Sequence, residues 1–210
     1  MYIDEKIAML ERYHRQTLLV DEKTAENQDK EERAEAEPLT LEEALLGIRA
    51  GELELRDGTE LKFETRIYFE KEIPVILFKD FYQASEELEG SATFVNHDHE
   101  ISQVVSYLKN NIRTISMKQW ENLLVNGMAA NGLYAKVIKS KSMECMEYLC
   151  YDVPSKKGWI YNVMFRMKGK DKRFTGNYNC LKEECDNYGV VLEAMVLKMN
   201  EWFREQEVAD

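Results

Sequence analysis

Proline is scarce, with 3 residues in 210, and glycine stands at 10, which excludes a collagen-like or proline-rich extended chain. Positive charge is in deficit: Lys and Arg number 28 against 39 Asp and Glu, a formal net charge of −11. Recognition of a phosphate backbone needs a basic face that releases counterions, so nucleic acid and anionic membrane are poor partners. No apolar run approaches the roughly 18 residues that cross a bilayer. The start, Met1 to Lys6, lacks the basic-then-apolar pattern of an export signal. A cytoplasmic location is expected. No glycine-rich turn is followed by Lys-Ser or Lys-Thr and a helix, so nothing supports a nucleotide site, and no cofactor is expected. What is present suffices for a core, since the chain is 44% hydrophobic and 10% aromatic.

Cys145, Cys150, Cys180 and Cys185 form two C-x4-C pairs, open to a four-thiolate zinc reading or to two disulfides. The first pair lies in an expected strand, where an odd offset sends the thiols to opposite faces. Buried, reduced cysteines acting as small hydrophobes are the better account. A Cys–His nucleophile pair using Cys180 or Cys185 has no flanking signature to support it. His97-Asp98-His99-Glu100 is the one dense group of metal-capable side chains. In an extended segment His97 and His99 would share a face and could hold a divalent ion with Glu100. The alternative, which we prefer, is a polar turn in which Asn96 and Asp98 bond the local backbone.

Along the chain, Ile7, Leu10, His14 and Leu18 space like a short amphipathic helix. Asp21 to Glu37 offers alanine as its only apolar residue type and reads as an acidic tether. The expected division is therefore an extension over 1–37 and a single domain over 38–210. Thr40-Leu41-Glu42-Glu43 has capping-box spacing ahead of a helix ending near Gly51. Leu53 to Phe69, with a turn at Arg56-Asp57-Gly58, reads as a hairpin, and Ile73 to Phe78 as a brief strand. Ser85 to Gly90 reads as a polar loop and Ala92 to Val95 as a strand, while 101–109 fits both helix and strand templates. Ser116 to Gln119 opens a helix that Asn131-Gly132 closes.

Four strands follow: Leu133 to Lys139, Met143 to Val153, Trp159 to Met167 and Phe174 to Cys180. Short polar turns make them antiparallel neighbours. The turn Lys168 to Arg173 is also a possible local docking patch. A final helix, about Glu183 to Glu205, carries Tyr188, Leu192, Met195, Met199, Trp202 and Phe203 on one stripe that can cover the sheet.

This order, together with Phe174-Thr175-Gly176-Asn177-Tyr178-Asn179-Cys180 leading into the last helix, resembles the PsbP/Mog/DcrB-like group over about Ile67 to Phe203. The resemblance implies an α+β fold of the α/β/α sandwich type, a central antiparallel sheet flanked by helices, here with an N-terminal helical extension. Members of that group are mostly non-enzymatic; some bind a small GTPase, some dock on photosystem subunits, and some act as chaperones or adaptors for secreted bacterial effectors. The expectation is a non-catalytic protein-binding module, a bacterial adaptor, chaperone or immunity-type protein, that engages a protein partner through the sheet face or the acidic arm. Two alternatives stand beside it: a metal-dependent enzyme centred on His97 and His99, and a self-associating structural subunit.

Overall fold

The structure, a computed structural model, describes residues 38–69, 72–108, 115–168 and 174–209. The helix and tether expected over 1–37, and most of the basic turn 168–173, lie outside the described residues. Helix α1, Leu41–Ala50, begins at the expected capping box: the Thr40 side chain accepts the Glu43 N–H at 3.2 Å, and Glu43 accepts the Thr40 N–H at 2.8 Å. Gly51 stops the helix at φ 88°, a left-handed conformation that costs glycine little.

Strands β1, Glu52–Glu54, β2, Glu60–Tyr68, and β3, Ile73–Phe78, form a three-stranded sheet in that order. The Asp57 carboxylate accepts the Thr59 N–H at 2.9 Å and shapes the β1–β2 turn. Every residue of β3 is buried, which explains why it reads as a continuous apolar run rather than an alternation.

A second sheet contains β4, Ala84–Leu88, β5, Ser91–Asn96, β6, Ile101–Tyr107, β7, Lys136–Ser142, β8, Met146–Ser155, β9, Gly158–Met167, and β10, Phe174–Leu181. Its spatial order is β4-β5-β6-β10-β9-β8-β7, and every neighbouring pair is antiparallel. Helix α2, Met117–Ala130, starts at Ser116, whose side chain accepts the Gln119 N–H at 3.2 Å. Helix α3, Val190–Ala209, follows a 3-10 turn over Lys182–Glu184 and a π turn over Cys185–Gly189. With three helices and ten strands among the described residues, the protein is α+β with antiparallel sheets.

Four differences from the sequence reading have a structural reason. Residues 84–88 form the edge strand β4 instead of a loop; all five are exposed, so no alternation marks them. Residues 101–107 are a strand, with Ile101, Gln103 and Val105 inward, and the polar Gln103 on the buried side hid the period of 2. Residues 140–142 continue β7 past the end expected at Lys139, because an exposed outer strand tolerates polar residues throughout. The last helix begins at Val190 rather than near Glu183, since the chain first turns through the 3-10 and π segments.

One face of the larger sheet presents Phe94, Val105, Tyr148, Val163, Phe165 and Tyr178 to Val191, Leu192, Met195, Val196, Met199 and Phe203 of α3, in a single core shared with α1 and β3. Burying a large apolar side chain stabilises by about 1.5–3 kcal/mol, so this layer dominates the fold's stability. On the opposite face a smaller core joins Trp120 and Leu124 of α2 to Leu149 and Tyr151 of β8. No described helix is long and apolar enough to cross a membrane.

Candidate functional site

The histidine group falls in the β5–β6 turn. The Asn96 side-chain carbonyl accepts the N–H groups of Asp98 and His99, each at 3.0 Å, which is the local turn chemistry expected of asparagine. The His97 N–H is donated to the Gln83 side chain at 2.7 Å, and the His97 ring lies in solvent. The His99 ring stacks on Phe81, centroids 5.3 Å apart, and also meets Tyr188 at 5.5 Å. Glu100 pairs with Lys157 across the neighbouring β8–β9 turn. His97, His99 and Glu100 are thus each engaged differently. Among the described residues, no three His, Cys, Asp or Glu side chains converge as a metal site.

The four cysteines form no disulfide with one another, and all four belong to the α3-side core. Cys145 and Cys150 do not point to opposite faces, because Cys145 precedes the first residue of β8 and escapes the strand's alternation. Burial pushes the Cys150 thiol up to about 12, and the Cys185 thiol likewise to about 12, so neither supplies a thiolate nucleophile at neutral pH.

The densest buried polar group surrounds Glu193 of α3, a residue that sequence periodicity concealed inside an apolar helix. Its carboxylate accepts the Tyr161 hydroxyl at 2.6 Å and the Tyr148 hydroxyl at 3.0 Å, and it pairs with Lys139 at 2.5 Å. Burial raises both phenols, with the neighbouring carboxylate adding to the effect, so they remain donors. This cluster ties α3 to β7, β8 and β9. A shallow groove of about 270 Å³ lies elsewhere, bordered by Ile48, Phe63, Ile76, Lys198, Met199 and Trp202. Its polar lining is Thr65, Lys198 and Glu205, set among apolar side chains.

The surface that remains is the sheet itself. On the face away from α3, α2 packs on β7, β8 and β9. Across β5, β6 and β10 the same face carries Thr93, Val95, Ser102, Val104, Ser106 and Asn179, all partly buried. These are short side chains on a rigid layer whose other side is the main core. Several are fixed: the Asn179 amide donates to the Ser102 hydroxyl at 2.8 Å, and the Asn177 amide donates to the Asn162 side chain at 3.1 Å. Tyr151 closes the row by donating its hydroxyl to Asn177 at 3.3 Å. The signal for this face was the alternation of Ser, Val and Thr with buried residues along β5 and β6.

No protein-family model matches the chain, and no curated protein matches it. A solved structure of a protein of unknown function from Pseudomonas aeruginosa shares 12% sequence identity with it, covering 62% of this chain and 92% of that one at a TM-score of 0.39.

Proposed function

We propose that the protein is a non-catalytic protein-binding module, a cytoplasmic bacterial adaptor, chaperone or immunity-type protein. On this reading its layers form an α/β/α sandwich of the PsbP/Mog/DcrB-like kind, with α2 and α3 on opposite faces of the antiparallel sheet. The observation that supports binding is the sheet face that, among the described residues, α2 covers only over β7, β8 and β9. Thr93, Val95, Ser102 and Val104 leave a shallow, mixed apolar and hydroxyl surface beside α2, backed by a packed core. A partner laid on such a surface gains apolar contact and meets few long side chains that must be ordered.

A photo-reactive amino acid placed at Thr93 in the full chain should cross-link a discrete protein in cells, while one at Lys118 on the exposed side of α2 should not. Thr93→Arg should abolish capture of that protein and leave the melting temperature unchanged, as for an ordinary surface exchange. A Thr93 probe that captures nothing, or the same set as Lys118, would contradict the proposal.

A further inference from the structure

β7 is an outer strand of the seven-stranded sheet, and among the described residues no strand pairs with its far side. An outer strand presents a row of backbone donors and acceptors that another strand can join. The charges along it decide which strand that can be. Lys136, Lys139 and Lys141 share the face toward α3, and Lys168 reaches the strand's end, donating to the Ser142 hydroxyl at 3.0 Å. Glu193 offsets Lys139, and Asp152, itself paired with Lys182 at 3.0 Å, lies opposite Lys136 in the ladder. On the other face Glu121 of α2 approaches Ser140.

The local sign at this edge is positive on a chain whose net charge is −11. At physiological salt, charges are screened beyond about 8 Å, so an approaching strand responds to these lysines rather than to the distant net charge. A second β7 would set lysine against lysine, and like charges opposite one another destabilise a pair. The opposite edge, β4, carries Glu86 and Glu87 with Glu89 beside it, and it repels acidic strands. Apolar contact is available as well. The register shift between Val137 and Lys139 leaves Ile138 half-exposed, and Tyr134 is half-exposed just ahead of the strand.

We propose that β7 is a strand-addition site for an extended, acidic segment of a partner protein, one that alternates carboxylate and apolar side chains. The proposal rests on the protein-binding reading and adds to it a second surface and the chemistry of what engages there. The carboxylates meet the lysine side, the apolar residues meet Ile138, and the backbone ladder extends the sheet.

The test uses the full chain and a fluorescent peptide of alternating Glu and Val, followed by anisotropy. Saturable binding is expected at low salt and should weaken as salt rises. The charge reversal K136E/K141E should weaken binding by about tenfold or more, the size expected when two close charge contacts become repulsive. A peptide N-methylated at alternate amides should not bind, because it cannot form the ladder. Thr93→Arg should leave peptide binding intact. Absence of saturable binding, equal binding by the N-methylated peptide, or insensitivity to K136E/K141E would each overturn strand addition. Concentration-dependent self-association abolished by K136E/K141E would also overturn it, by assigning the edge to a second copy. Cross-linking at Thr93 reports separately on the protein-binding reading, which survives failure here.

Discussion

The guanidinium of Arg166 lies over the ring of Trp120, with its central carbon 4.2 Å from the centroid. The same side chain donates from Nε to Glu147 at 2.6 Å and from Nη2 to the Ile115 carbonyl at 3.0 Å. One cation thereby seats the start of α2 on β8 and β9. Arg166→Ala should lower the unfolding free energy in urea by about 3–5 kcal/mol, because it leaves the Glu147 carboxylate largely buried without its partner. Arg166→Lys should recover only part of this, since an ammonium cannot fork between a carboxylate and a carbonyl while stacking on indole.

Glu193 anchors α3 by the opposite charge. Glu193→Ala should cost about 3 kcal/mol or more, because two buried phenols lose their acceptor. Glu193→Gln should cost less, as its amide oxygen can still accept one of them. Paired denaturant titrations distinguish the two, and equal losses would show that the phenols find other acceptors.

Gly176 sits under a ring in the middle of β10. A Cβ there would meet Phe165 Cζ at 2.3 Å and the Val104 carbonyl oxygen at 2.6 Å. Gly176→Ala should destabilise by about 1–3 kcal/mol through overpacking. Phe165→Leu in the same chain should relieve part of that strain, so the double variant should lose less than the sum of the singles. Full additivity would place the strain on the Val104 backbone instead.

The capping box makes one pH dependence visible. Hydrogen bonding from the Thr40 amide, then from Arg56 and the Thr40 hydroxyl, lowers Glu43 from its ordinary 4.5 to about 2. A carboxylate depressed in the folded state adds stability above its unfolded value, and that contribution disappears as pH falls through the folded one. Stability should therefore decline between about pH 5 and pH 2, and Glu43→Gln should flatten this part of the profile. An unchanged profile would assign the acid sensitivity to other carboxylates.

Much of the helical architecture was legible because its signals are local. Thr40 with Glu43 and Ser116 with Gln119 announce two helix starts by a hydroxyl and a carboxyl or amide three residues apart, and both capping boxes form. The alternation of Tyr161, Val163 and Phe165 marks the side of β9 facing the main core. What escaped was set by neighbours distant in the chain. β4 is a strand because β5 offers it a ladder, and nothing in Ala84–Leu88 itself requires one. Gln103 turns inward because the Ile76 carbonyl accepts its amide at 3.2 Å. Glu193 is tolerated in the core because three partners from β7, β8 and β9 meet it there, and Arg166 is buried for the same kind of reason. The turn at Asn96 was legible as turn chemistry, whereas the stacking of His99 on Phe81 depends on a loop 18 residues earlier (99 − 81 = 18).

The position of β10 between β6 and β9 bears on how the chain reaches this state. β4, β5 and β6 form one meander of neighbours in sequence, and β7 to β10 form another. The seam between them is the β6–β10 ladder, which pairs Tyr107 with Phe174, residues 67 apart (174 − 107 = 67). During synthesis the first meander must wait with the edge of β6 unmatched until the last strand has emerged, and α3 follows later still. Ladders of such long sequence separation close slowly, so the rate of folding is governed by this late closure rather than by the early hairpins. Premature truncation after β9 would leave two incomplete half-sheets with an apolar face uncovered, the kind of species that chaperones hold and that aggregates when they do not.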